Sequence, residues 1–243
     1  MTNLEGRLLY RSPARPPPEG VRTDLAILKA ISSSLGRSGH LSENSEETFN
    51  ELRRASAGGV ADYSGFTYAR VRSGEGLFWP CPAEEHPGTP RLFADSFPTP
   101  DGRARFHPVQ HAAPSEEPDE QFPLYLTTGR VMSHYQSGTQ TRRIPLLRDS
   151  EPEPFVEMHP ATAGLYGLEV GGMARVRTRR GTALLRVRTN PSMRHDTLFV
   201  PFHWSGRGRA NNLTTDALDP DSKIPAFKVA AATLENFQEN AHD

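Results

Sequence analysis

Along residues 174–189 the chain alternates. Ala174, Val176 and Thr178 are separated by Arg175 and Arg177, with Arg179 following, and beyond Arg180-Gly181 the apolar Leu185 and Val187 alternate with Arg186 and Arg188. A period of two sends the two sets to opposite faces of a strand. The pattern therefore predicts a β-hairpin turning at Arg180-Gly181, with one face in a core and the other in water. Short apolar or β-branched runs predict further strands at 124–127, 155–158 and 197–202, and a closing strand at 226–235. Leu8-Leu9-Tyr10 and residues 103–106, the latter after a turn at Pro100-Asp-Gly102, are expected to be short strands as well.

Helical spacing appears in two places in the first half. Leu25-Ala-Ile-Leu-Lys-Ala-Ile-Ser follows Asp24, the expected N-cap, and stops at Gly36. A second short helix is expected from Asn44 or Ser45, with Glu46 and Glu47 at its positive end and Phe49, Leu52 and Arg53 one turn apart. His159-Pro-Ala-Thr-Ala-Gly-Leu-Tyr-Gly167 predicts a third, with proline near its start, glycine at its end and His159 as a cap rather than a ligand. Elsewhere prolines and glycines break the elements, at Pro13, Pro16, Pro17 and Pro18, at Gly58-Gly59, and at Pro80 and Pro82. Residues 112–121 are acidic, proline-containing and aperiodic, the character of a linker between domains.

Composition narrows the class. With 243 residues there is room for one large or two modest domains, and 22 prolines with 20 glycines imply a loop-rich fold. A net charge of −1 and the lack of a long apolar run exclude a disordered chain and a membrane-spanning helix. One cysteine, Cys81, leaves no disulfide framework and no iron–sulfur cluster, which needs about four thiolates. Between its two prolines Cys81 is expected to be a small, partly buried side chain in a rigid turn. The opening residues contain no secretory or twin-arginine leader, so a cytoplasmic location is expected.

Candidate chemistry concentrates after the strand at 124–127. Gly129 suits a turn that a ligand can approach closely. Residues 130–143 then carry Arg130, His134, Arg142 and Arg143, together with Ser133, Gln136, Ser137, Thr139, Gln140 and Thr141, and no acid. Such a cationic, donor-rich loop suits phosphate and a heterocycle, although solvated basic loops are common.

The run Thr127-Thr-Gly-Arg-Val-Met-Ser-His-Tyr-Gln-Ser-Gly-Thr-Gln-Thr-Arg-Arg143 resembles the segment that opens the C-terminal domain of bacterial molybdopterin oxidoreductases, nitrate reductases especially. Asn211-Asn-Leu-Thr-Thr-Asp-Ala-Leu-Asp-Pro-Asp-Ser-Lys-Ile-Pro-Ala-Phe-Lys228 is similar to the same family's closing block. Residues 51–65 and Phe78-Trp-Pro-Cys-Pro82, with Gly88-Thr-Pro-Arg-Leu-Phe93, resemble stretches of assimilatory-type nitrate reductases. The resemblance implies a mixed α/β and β chain. Residues 1–111 would be a loop-rich, partly helical segment of a catalytic domain, 112–121 a linker, 122–236 a double-psi β-barrel, and 237–243 a polar tail. The family pattern usually has Gly-Asp before the hairpin, where this chain has Gly171-Gly172.

Position by position, the resemblance assigns contacts with molybdopterin guanine dinucleotide to Thr128, Gly129, Arg130, His134, Gln136, Ser137, Asn211 and Lys228. His203 joins them, in a register uncertain by one residue with Phe202. It assigns no catalytic residue and no metal ligand to these residues. In the family the pterin holds the molybdenum and the protein mainly orients the cofactor. An iron–sulfur domain and a metal-ligand segment would have to come from elsewhere, so nitrate reduction is expected only of the whole system. Formate dehydrogenase is the alternative within the family. Outside it stand a cofactor-free interaction barrel and a nucleic-acid-binding barrel. Residues 173–194 hold seven arginines and no acid, but lack the interleaved aromatics that stack bases.

Overall fold

The computed structural model describes every residue except 40, 75 and 239–243. The chain divides into two compact units, Met1–Pro108 and Val109–Asp243.

In the first unit the periodic segments form α1 (Asp24–Ser34) and α2 (Ser45–Ser56), followed by α3 (Tyr68–Arg72). Thr23, not Asp24, caps α1, its Oγ1 accepting from the Ala26 amide at 3.2 Å. Asp24 instead supplies the acidic charge of the first turn, favourable at a helix N-terminus. Asn44 caps α2 by accepting from the Glu46 and Glu47 amides. Leu8, Phe66, Leu77 and Cys81 make the core of this unit, with Phe49, Tyr63, Val71 and Trp79 packed against them. Cys81 is fully buried, as its proline-bounded turn suggests. The strands expected at 8–10 and 103–106 do not form. Arg7 and Leu8 make isolated bridges, to Phe78 and Thr2, rather than a strand ladder, and residues 103–106 have no ladder partner.

The second unit is a closed six-stranded barrel in the order β1-β5-β2-β4-β3-β6. Its strands are β1 (Leu124–Gly129), β2 (Phe155–Met158), β3 (Met173–Thr178), β4 (Thr182–Thr189), β5 (Thr197–Pro201) and β6 (Ala230–Phe237). Helices α4 (Pro145–Ser150) and α5 (Pro160–Leu165) lie in the connections. β1 pairs parallel with β5 and β2 parallel with β4, while the remaining ladders are antiparallel. Two parallel pairs whose connecting segments cross give the double-psi barrel. Closure leaves the sheet no free edge.

The alternating pattern decides which face is inside. Ala174, Val176, Ala183, Leu185 and Val187 are buried with Leu126, Val156, Met158, Leu198, Val200 and Ala230. At about 25 cal/mol per Å² of apolar surface, this continuous core is the main stabilising term of the unit. His159 caps α5, its Nδ1 accepting from the Ala161 amide at 3.0 Å.

The acidic stretch 112–121 lies against the hairpin. Glu116 receives Arg179 and Arg180 and also accepts from the Ala231 amide at 2.9 Å. The closing strand starts at Ala230 rather than at residue 226. Residues 226–228 are held in a turn, Phe227 N donating to the Pro225 carbonyl at 2.8 Å, and pass over the end of β1. Of the expected polar tail, residues 239–243 lie outside the described residues.

Candidate functional site

The parallel pair β1/β5 builds one end of the barrel. The register sets Gly129 beside Pro201, so both chains leave the sheet side by side, one into the loop 130–138 and the other into Phe202-His203-Trp204. Two glycines make this crossing possible. A Cβ on Gly129 would lie 2.4 Å from the Phe199 ring. One on Gly138, whose φ is +73°, would lie 2.7 Å from the His203 carbonyl oxygen.

An open pocket of about 450 Å³ is lined by Thr128, Arg130, Gln136, Phe202, Asn211, Thr214, Phe227 and Lys228. Its volume falls in the roughly 300–1,000 Å³ range of ligand sites. Arg130 and Lys228 lie on the same aromatic ring, with Cζ at 5.9 Å and Nζ at 6.0 Å from the centre of Phe202. Neither cation has a carboxylate partner among the described residues, and no acid lines the pocket. Two unneutralised cations with amides, hydroxyls and two aromatic faces can hold a pyrophosphate and a heterocycle together. On this observation the residues present fit a phosphate-bearing nucleotide cofactor.

Five of the nine residues expected from the sequence, Thr128, Arg130, Gln136, Asn211 and Lys228, thus meet at one pocket. Gly129 stands directly behind them. Ser137 is exposed on the loop and shares a 2.6 Å hydrogen bond with Thr139. His134 and His203 are buried. His134 bonds Thr141 Oγ1 at 3.1 Å and the Glu151 carbonyl at 2.8 Å, while His203 bonds the Val131 amide and the Gln136 carbonyl. His203 thus spends both nitrogens on the loop itself, and His134 spends its own on Thr141 and on Glu151 beyond α4. The pocket adds Thr214 and Phe227, each carried by the motifs Asn-x-Leu-Thr and Phe-Lys, and Phe202, the neighbour of His203.

The hairpin's basic face is neutralised. All seven arginines of residues 173–194 are ion-paired: Arg175 and Arg177 with Glu235, Arg179 with Glu116 and Asp119, Arg180 with Glu116, Arg186 with Glu153, Arg188 with Glu151, and Arg194 with Asp196. Phosphate tracking needs cations that are free to release counterions. The acids absent from the hairpin's own sequence are supplied by other segments.

Residues 124–231 match the family described as "Molydopterin dinucleotide binding domain". The chain is 45% identical over 237 residues to the assimilatory nitrate reductase catalytic subunit of Bacillus subtilis (strain 168), covering 96% of this chain and 33% of that protein. It is 36% identical over 237 residues to the F420-dependent formate dehydrogenase 1 subunit alpha of Methanococcus maripaludis, covering 97% and 34%. The chain thus spans about a third of the length of these relatives. Among solved structures it is similar to acetylene hydratase from Pelobacter acetylenicus, at a TM-score of 0.56 and 18% identity, over 91% of this chain and 34% of that one, a likeness of fold. The chain belongs to the molybdopterin oxidoreductases, and its barrel is their molybdopterin dinucleotide-binding domain.

Proposed function

We propose that the pocket between β1 and the 211–228 segment grips the pyrophosphate and guanine-bearing half of molybdopterin guanine dinucleotide, in an enzyme that reduces nitrate to nitrite. The observation that carries this is the pair of unneutralised cations, Arg130 and Lys228, that share the Phe202 ring. Arg130 offers a planar fork to phosphate oxygens and Lys228 a point charge. Gln136, Asn211 and the hydroxyls of Thr128 and Thr214 supply directional hydrogen bonds for ring and ribose. Ser137, His134 and His203 act on the cofactor through the loop.

When bound, the cofactor supplies the two-electron redox centre. The residues of this chain bind and orient it, and the barrel excludes water from its nucleotide end. Residues 1–111 are read as part of the preceding catalytic domain, joined to the barrel through 112–121. The remaining two thirds of such an enzyme, with its iron–sulfur and metal-ligand segments, is the partner this chain needs. A cytoplasmic enzyme fits a chain whose one cysteine is buried and unpaired. Among the described residues no helix is long and apolar enough to cross a membrane.

The choice of nitrate over formate follows the higher identity to the nitrate reductase, 45% against 36%. Co-expression of this chain with the preceding portion of a nitrate-reductase-like enzyme, assayed with nitrate and with formate, tests both points. Nitrate-dependent turnover is expected. Turnover of formate alone would reassign the substrate, and an assembled enzyme holding no pterin would remove the binding assignment.

A further inference from the structure

His203 is fully buried, and its two ring nitrogens face groups of opposite kind. The Val131 amide donates to Nε2 at 2.9 Å. The Gln136 carbonyl lies against Nδ1 and can only accept. An amide cannot accept and a carbonyl cannot donate, so the ring must be neutral with its proton on Nδ1. In the same loop His134 takes the other tautomer. Its Nε2 donates to the Glu151 carbonyl at 2.8 Å, and its Nδ1 accepts from Thr141 Oγ1 at 3.1 Å. That hydroxyl's own acceptor side takes the Tyr135 amide at 3.3 Å.

His203 therefore ties together the two ends of a short arc, residues 131 and 136. Its carbonyl oxygen also packs against Gly138, where no Cβ fits. Gln136 has a φ of +50°, a left-handed conformation that is strained for a non-glycine residue and persists only when its surroundings hold it. The same Gln136 lines the pocket, and Arg130 precedes Val131. The geometry points to a role for His203 as a positioning residue: a neutral, tautomer-locked clamp that holds the loop 131–136 in its left-handed turn, so that Arg130 and Gln136 face the dinucleotide.

This rests on the dinucleotide-binding assignment above, and it goes beyond that assignment by placing His203 behind the loop instead of against the ligand. Protonation of Nε2 would set an N–H against the Val131 N–H, so the clamp works only in the neutral form. The groups facing the ring favour that form. Burial lowers its pKa first, the Gln136 carbonyl opposes this, and His134, Arg130 and Arg142 lower it further. Neither amide side chain reproduces the ring, because Asn and Gln can each reach only one of its two partners.

The test uses the full chain and the variants His203→Asn and His203→Gln, with imidazole nitrogen NMR and amide exchange read without cofactor, and dinucleotide retention read after co-expression with the preceding portion. In the wild type, His203 is expected as the Nδ1–H tautomer and His134 as the Nε2–H tautomer. The Val131 and Gln136 amide resonances should move together as His203 protonates, below the ordinary imidazole range. In the variants this titration disappears. Exchange rises about tenfold at Val131 where the new side chain leaves its amide without an acceptor, and rises at Tyr135, whose own acceptor is Thr141 Oγ1, as the loop loosens, with Val176 and Leu185 unchanged, and dinucleotide affinity falls by about tenfold.

An Nε2–H tautomer at His203, or exchange at Val131 and Tyr135 unaltered in both variants, would overturn the clamp. Loosening of the loop with full dinucleotide affinity would likewise overturn the positioning role. A loop that titrates and loosens as expected, in a protein that retains no dinucleotide even as wild type, would support the clamp and remove the binding assignment instead.

Discussion

Lys228 donates from Nζ to the Thr128 carbonyl at 2.8 Å, and Thr128 Oγ1 donates to the Phe227 carbonyl at 3.0 Å. Two short blocks at opposite ends of the domain sequence are thereby stitched across the mouth of the pocket. One Nζ proton is committed to this stitch, and an ammonium has three. The others remain for a ligand, so the lysine both shapes the pocket and charges it.

Replacement of Lys228 by Met keeps the stem and removes the charge. Stability should fall by only about 1 kcal/mol, the net value of one part-buried hydrogen bond. Dinucleotide affinity should fall by roughly tenfold or more, because a charge-assisted contact of about 1.5–3 kcal/mol is lost. Thermal unfolding and quantification of bound pterin on the same preparations separate the two effects.

Gly129→Ala probes the close approach behind the site. The new Cβ would meet the Phe199 ring at 2.4 Å, and Phe199 sits between Phe155 and the β1 ladder. Displacing that ring should cost about 1–3 kcal/mol, as overpacking does. Denaturant unfolding measures this, and an unchanged midpoint would show that the ring moves freely.

Glu116 anchors the acidic stretch to the hairpin. Its burial opposes the charge, but Arg180, the Ala231 amide and Arg179 together hold its carboxyl below the usual carboxylate range. Glu116→Ala leaves Arg180 without its carboxylate partner and frees the Ala231 amide. A loss of about 3 kcal/mol is expected, from the cost of breaking a largely buried pair. Glu235→Ala, where the carboxylate is about 41% exposed, should cost less than about 1 kcal/mol.

Acid should weaken the barrel through Asp196. Arg194 beside it, with Thr197, holds its carboxyl down to about 2 against the desolvation that opposes it. A carboxylate depressed in the folded state contributes stability fully above its unfolded value near 3.8, and that contribution is lost as pH falls through about 2. His203 adds loss at higher pH. Its folded value is lowered from 6.5, so its contribution is complete above 6.5 and disappears as pH drops below it. Unfolding free energies between pH 7 and pH 2 should decline in two ranges, and Asp196→Asn should shrink the lower one, to which Glu116 and Asp119 also contribute.

Much of this architecture is visible along the chain, and the limits of what is visible have physical causes. The hairpin of β3 and β4 reads directly because alternation of arginine with Ala, Val and Leu permits one buried face. The parallel pairing of β1 with β5 does not, since no local pattern says which strand lies beside which; resemblance to a known family implied the double-psi barrel as a whole but named no strand pair. Residues 103–106 read as a strand yet lack a partner to supply the ladder. The closing strand begins late because the stitch of Thr128 to Phe227 and Lys228 holds 226–228 in a turn. At the site, the cations and amides that line the pocket were legible by residue type. The burial of His134 and His203 was not, because a histidine in a sequence looks the same whether its nitrogens face a ligand or its own backbone. The ion pairs that quiet the hairpin arginines were equally hidden, their acids lying in other segments.

The most direct test of the account is the amount of molybdopterin guanine dinucleotide that copurifies with this chain assembled with its preceding portion, compared between the wild type and an Arg130→Ala, Lys228→Ala double variant shown to be folded and assembled. Stoichiometric pterin in the wild type and its loss in the variant is the result predicted here. Equal pterin in both would contradict the claim that these two cations hold the cofactor.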